Sequence, residues 1–121
     1  MPGTHRLAAC GAALVMALSF VHPVEAAVPT VADAKAYALK RIGRTQFRCL
    51  DAIVSRESSW NPHAGSVGGY YGIFQTHPGS RMGPGWRDDP MVQTRWGIGY
   101  ISDRYGSACD AWSFWKAHRW F

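Results

Sequence analysis

Charge is scarce in this chain, and acidic charge most of all. Of 121 residues 17% are charged and 47% hydrophobic, which excludes the highly charged, weakly apolar composition of disordered proteins. Only 8 residues are Asp or Glu, and just two of them, Glu25 and Glu57, are glutamates. Cysteine is also rare: there are 3, none in a CxxC pair, and His63, His77 and His118 lack ligand spacing such as HExxH. No metal site and no cofactor is therefore expected. Internal repeats and low-complexity linkers are missing, and the length excludes tandem domains. Neither an amphipathic basic helix nor an aromatic RNP-like motif is present, which speaks against membrane-surface and nucleic-acid binding.

The first stretch differs from the rest. After His5 and Arg6, an apolar run from Leu7 to Val21 is broken by His22-Pro23 and followed by Val24-Glu25-Ala26. Weakly basic, apolar and small-residue regions in that order read as a secretory leader over residues 1–26, with Val24 and Ala26 at the two positions a signal peptidase reads. A membrane anchor is the alternative, but a spanning helix wants about 20 apolar residues and this run is shorter. Leu7-Ala8-Ala9-Cys10 mimics a lipoprotein box, yet its apolar stretch follows the cysteine instead of preceding it. Lipidation is rejected on that ground.

Residues 27–121 then form one small domain, exported and without stable membrane insertion. The leader would take Arg6 and Glu25 away together, so the net charge of +5 is unchanged. Such a cationic domain favours anionic surfaces, among them cell-wall polymers, lipid headgroups and nucleic acid, and charge alone does not choose between them. Cys10 leaves with the leader, so Cys49 and Cys109 remain. In an exported chain they most simply pair, which stabilises the fold by about 4 kcal/mol in the chain-entropy model.

Thr30-Val31-Ala32-Asp33 reads as a capping box opening a helix through Ile42, with Gly43 as its stop. A second helix is expected from Phe47 to Trp60, ended by Asn61-Pro62. Residues 61–90 hold seven glycines and four prolines, so they read as loop with short turns around Tyr70 to Thr76. Beyond Pro90 the apolar positions Val92, Trp96, Tyr100 and Ile101 recur with a helical period until Gly106. The aromatic tail from Ala111 to Phe121 begins as helix.

Without the leader, Glu57 is the only glutamate. It falls on one helical stripe with Leu50, Ile53 and Val54, at i, i+3, i+4 and i+7. A carboxylate on an apolar stripe is partly desolvated, so its pKa should rise and it could hold a proton near neutral pH, as a general acid must. The competing reading is a helix-end glutamate that reaches solvent or pairs with Arg56 or a loop arginine. The Gly-rich segment Gly65 to Gln75 follows directly and can approach a ligand closely. All six tryptophans lie from Trp60 onward. They suit either stacking on sugar rings or the core that so small a domain needs.

Three ordered motifs carry a resemblance. They are Cys49-Leu50-Asp51-x-x-x-x-Arg56-Glu57-Ser58-x-Trp60-Asn61, then Ser66-x-x-Gly69-x-Tyr71-Gly72-Ile73-x-Gln75, then Trp86-Arg87 through Pro90, Gln93, Trp96-Gly97-x-Gly99-Tyr100-Ile101, Arg104-Tyr105-Gly106, Cys109 and Ala111-Trp112. Together they resemble the small secreted lytic transglycosylase-like domains of actinobacteria, relatives of soluble lytic transglycosylases and of the aggregation-promoting-factor C-terminal domain. The resemblance covers residues 46–121. It implies a mainly α, compact lysozyme-like domain with a Gly/Pro-rich cleft loop. It puts Glu57 at the acid/base position, Ser66, Tyr71, Gly72 and Gln75 in the substrate-binding cleft motif, and Tyr100 on the helix closing the cleft. Tyr70 and Phe74 depart from the family pattern in a way expected to narrow the cleft. The Ala-Tyr-Asn motif of larger transglycosylases is absent, and Trp112-Ser113-Phe114-Trp115 stands at the corresponding end.

An ordinary glycosidase needs two carboxylates flanking the bond. Asp51, Asp88, Asp89, Asp103 and Asp110 are the candidates for a second one, and no motif singles one out. The resemblance implies instead a monomeric, wall-associated enzyme acting on peptidoglycan glycan strands through Glu57 alone and leaving 1,6-anhydro ends. A hydrolytic muramidase and a non-catalytic wall-binding or aggregation module are the alternatives.

Overall fold

The computed structural model describes residues 2–4, 8–22 and 27–121. Three helices follow in chain order: α1 (Val31–Glu57), α2 (Pro90–Tyr105) and α3 (Ala108–His118). A 3₁₀ turn, Gly79–Met82, lies between the first two. Among the described residues there is no strand, only isolated bridges joining Gly65 to Tyr71 and Tyr71 to Thr76. The fold is mainly helical, as expected. Residues 8–22 form no helix, and Leu14, Phe20 and Val21 among them are at least 81% exposed. The expected cleavage point at Val24-Glu25-Ala26 lies outside the described residues.

Thr30 opens α1 through the capping box read from the sequence. Its hydroxyl accepts from the Asp33 N–H at 3.1 Å, and the Asp33 carboxylate accepts from the Thr30 N–H at 2.8 Å. Those bonds hold the Asp33 carboxyl below its ordinary pKa. Gly43 interrupts the helix with φ 80° and ψ 165°, a conformation only glycine adopts cheaply. Two helices separated by a short connection were expected here. Gly43 ends the first limb as expected, and the second resumes at Arg44 instead of Phe47, so the break is a single residue.

The same helix ends at Glu57, three residues short of the expected Trp60. Ser59 and Trp60 are left-handed, with φ of 52° and 60°, at about 1–2 kcal/mol each. The turn folds the Trp60 indole back over α1, where its N–H donates to Asp51 Oδ1 at 2.7 Å and its ring stacks on Phe47. Burial to 3% exposure and that hydrogen bond are the compensating gain.

Leu50, Ile53 and Val54 are fully buried, so the stripe predicted on α1 is the one facing the core. It meets Ile101 of α2, Ala108, Ala111 and Trp115 of α3, and Ile73 and Phe74 of the long connection. Cys49 and Cys109 form the disulfide that joins α1 to α3 across 60 residues, with Cα atoms 4.9 Å apart. Asp89 caps α2 by accepting from the N–H groups of Met91 and Val92, with Pro90 in its first turn. Gly106 closes it by donating to Ser102. Ser107 caps α3, which therefore begins three residues before the aromatic run that announced it.

Gln93 organises the connection between α1 and α2. It is fully buried, its amide oxygen accepts from Ile73 N–H at 2.8 Å, and its amide nitrogen donates to the carbonyls of Pro62 and Trp86 at 2.8 and 2.7 Å. One side chain thus pins three separated points of the connection and satisfies backbone groups that its own turns and bridges leave unpaired. Gly97 makes the close approach work: a Cβ there would collide with the Phe74 ring.

Candidate active site

Glu57 ends α1, so its side chain leaves the helix where the chain turns into the Gly-rich connection. The neighbouring Ser58 hydroxyl donates to the Ile73 carbonyl at 2.7 Å, which fastens that connection beside the helix end. Glu57 is half-buried. Its Oε1 accepts a hydrogen bond from the Trp115 indole N–H at 2.7 Å. Burial pushes the Glu57 carboxyl above the ordinary glutamate range, and the Trp115 bond, which favours the anion, offsets part of that rise.

Trp115 is held firmly. It is 8% exposed, stacks on Trp112 at 5.5 Å, and has the Arg56 and Arg119 guanidiniums 5.8 and 5.4 Å from its ring. Arg56 itself donates to the Ala52 carbonyl, so it does not pair with Glu57. The helix-end glutamate is therefore neither free in solvent nor neutralised by an arginine.

A cavity of about 260 Å³ opens at this carboxyl, lined by Glu57, Ser66, Tyr70, Phe74, Gln75 and the Trp120-Phe121 tail. A second, of about 270 Å³, shares Tyr70, Phe74, Gln75, Trp120 and Phe121 and extends to Thr76, His77, Arg81, Trp96 and Tyr100. Sharing five lining residues, the two cavities adjoin; taken together as a groove, they have the carboxyl in one and a cationic, aromatic wall in the other. Arg81 lies 5.8 Å from the Trp96 ring, and Trp96 stacks on Tyr100 at 5.1 Å. Flat apolar faces beside fixed polar groups suit a sugar chain.

Glu57, Ser66 and Gln75 thus come together, and Tyr100 joins them at the far half. Gln75 donates its side-chain amide to Ala64 and Gly72 carbonyls, leaving Oε1 as its free acceptor. Tyr71 and Gly72 do not line the groove. The Tyr71 hydroxyl donates to the Arg87 carbonyl at 2.8 Å and its ring meets Trp86 edge-on. Gly72 is buried with φ 78°, and a Cβ there would strike the Gln93 amide. Both shape the connection that carries Ser66 and Gln75.

Every aspartate of the described residues is placed away from Glu57. Asp33 and Asp110 serve helix caps, as does Asp89. Asp51 accepts from Trp60 and Ser55. Asp88 pairs with His63 at 3.3 Å, and Asp103 lines a separate cavity. No group of three or more potential metal ligands forms among the described residues.

The sequence did not point to Trp115 as the hydrogen-bond partner of Glu57, nor to Trp120 and Phe121 as groove residues. A signal for Trp115 existed: it lies one turn beyond the buried Ala111 of α3, and a buried indole N–H needs an acceptor. Phe121 carried none, because its place depends on Arg119 turning the chain with φ 65°. Comparison with protein-family models, curated proteins and solved structures finds no match to this chain.

Proposed function

We propose that this chain is a secreted, wall-associated lytic transglycosylase of lysozyme-like fold that cuts the β-1,4 bond between N-acetylmuramic acid and N-acetylglucosamine in peptidoglycan. The observation that carries the reading is a lone, half-buried carboxyl with a raised pKa at one end of an aromatic groove. The motifs around Glu57, Ser66 to Gln75 and Tyr100 supply the family context.

In this mechanism protonated Glu57 gives its proton to the glycosidic oxygen as the bond to the muramoyl C1 breaks. The muramoyl 6-hydroxyl oxygen then bonds to C1, and the Glu57 carboxylate takes its proton. The acid is regenerated, a 1,6-anhydro ring closes, and no water is consumed. One residue with a pKa lifted toward neutrality serves both steps. The hydrogen bond from Trp115 orients the carboxyl and stabilises its anionic phase.

Hydrolysis by paired carboxylates fits less well, because no aspartate lines the Glu57 cavity and both geometries of that reaction need a second carboxylate across the bond. Mass spectrometry of muropeptides released from purified peptidoglycan tests the proposal. Products ending in 1,6-anhydromuramic acid are expected. Reducing ends would make the enzyme a muramidase, and no release by folded protein would leave a wall-binding module.

A further inference from the structure

A larger cavity, about 440 Å³, lies on a face that includes none of the Glu57 groove residues. Its volume falls within the roughly 300–1,000 Å³ typical of small-molecule sites. It sits where the break at Gly43 separates the two limbs of α1, opposite α2 and the start of α3. Ile42, Leu50, Ile98 and Ile101 give it an apolar floor.

The charges are sorted along it. Arg95, near the start of α2, lies 5.5 Å from the ring of Tyr37, and Arg41 is one turn beyond Tyr37 on α1. Asp103 lies eight residues after Arg95 on α2, about 12 Å further along at 1.5 Å per residue. Among the described residues the one ion pair is His63 with Asp88, so neither arginine is paired with a carboxylate of those residues. Arginine pairs with carboxylates through two parallel N–H donors, and Asp103 offers an acceptor for an ammonium at the opposite end.

We propose that this cavity binds a short apolar peptide with free termini, its carboxylate on Arg41 and Arg95, its ammonium on Asp103, and its side chains on the Ile and Leu floor. Three extended residues span at most about 10–11 Å, which matches the charge separation once side-chain reach is added. The site stands apart from Glu57 and does not rest on the transglycosylase reading.

Gly99 provides the sharpest test. It lines the cavity, and a Cβ added there meets nothing within 4 Å, so Gly99→Leu adds bulk at the cavity wall with no clash at its Cβ. Leucine also favours a helix interior over glycine. Binding is measured by titration calorimetry and by backbone amide NMR shifts, using the peptide Ala-Leu-Ala and its N-acetylated and C-amidated forms. Ala-Leu-Ala should bind and shift the amides of Gln46 and Ile98 to Ser102. Either cap, Arg41→Gln with Arg95→Gln, or Asp103→Asn should weaken it at least about tenfold, as loss of a charge-assisted hydrogen bond implies. Gly99→Leu, with an unchanged helical circular dichroism spectrum, should abolish binding, while Glu57→Gln should not alter it. No binding at millimolar peptide, equal binding of the capped forms, or shifts confined to the Glu57 groove would each overturn the proposal.

Discussion

The helical seam and the connection across residues 58–89 solve the same problem with different forces. In the seam, Leu50, Ile53 and Val54 meet Ala108, Ala111 and Trp115 through apolar contact, and Cys49–Cys109 ties the two helices covalently. In the connection, position is fixed by single polar anchors: the Gln93 amide with three backbone partners, the Ser58 hydroxyl on Ile73, and the Tyr71 hydroxyl on Arg87. Apolar burial is additive and tolerant of shape change. A buried polar anchor is all-or-none, because its partners are left unsatisfied when it goes. Glu57 stands at the join, with its backbone in the seam and its carboxyl facing the connection.

That contrast can be broken at the join first. Glu57→Gln should lower release of muropeptides by about 10²- to 10⁴-fold, the usual worth of general acid–base catalysis, with far-UV circular dichroism unchanged because neither region loses an anchor. Equal activity in the variant would remove Glu57 from the mechanism. The pH dependence follows from the raised carboxyl pKa. The protonated acid starts the reaction, so wild-type activity should fall as pH rises through that pKa. Stability shifts the same way: the folded state holds this proton more tightly than the unfolded state, so stability is greater below the raised pKa and declines as pH rises through it. Melting curves across pH should show that decline in the wild type and lose it in Glu57→Gln.

Removing the covalent tie comes next. The double change Cys49→Ser and Cys109→Ser should cost about 4 kcal/mol, read as a fall in the chemical denaturation midpoint. It should lower both regions together, since the connection packs on the seam. A smaller effect with a different signature is expected of Gln93→Leu. It leaves the Ile73 N–H and the Pro62 and Trp86 carbonyls unpaired, at about 3 kcal/mol or somewhat more. Hydrogen exchange should then quicken at Ile73 and its neighbours while the α1 and α3 amides keep their protection. Uniform loss across the helices would show that the two regions are one cooperative unit.

The smallest effect is expected at Trp115→Phe, which keeps an aromatic ring in the seam but deletes one hydrogen bond and part of the indole's packing, costing about 2 kcal/mol in stability. Its informative readout is the pH profile. With burial no longer offset by the indole N–H, the Glu57 carboxyl should titrate at higher pH and the descending limb of activity should move up. An unchanged profile would reduce Trp115 to a packing role.

Sequence signals are legible wherever the physics is local. The Thr30 box, the Gly43 break, Pro90 in a first turn and the Gly106 stop are each set by neighbours within four residues. The Leu50, Ile53, Val54 and Glu57 stripe was legible because helical periodicity alone aligns those side chains. The end of α1 was misplaced because Trp60 gains more by folding back to Asp51 and Phe47 than by extending the helix. Gln93 was visible as a motif position, yet its three partners lie 7, 20 and 31 residues away. Ser66 and Gln75 line the cavity at Glu57, whereas Tyr71 and Gly72 lie in the loop beneath it.

By itself, then, the sequence determined a small cationic, mainly helical chain and Glu57 on an apolar stripe, because composition and helical period act without knowledge of distant partners. Only the tertiary structure decided what surrounds that glutamate. The indole that donates to it comes from 58 residues further along, and the tail that walls its groove arrives through a left-handed turn at Arg119. Desolvation and hydrogen bonding set a carboxyl's proton affinity, and both are properties of whatever packs around it.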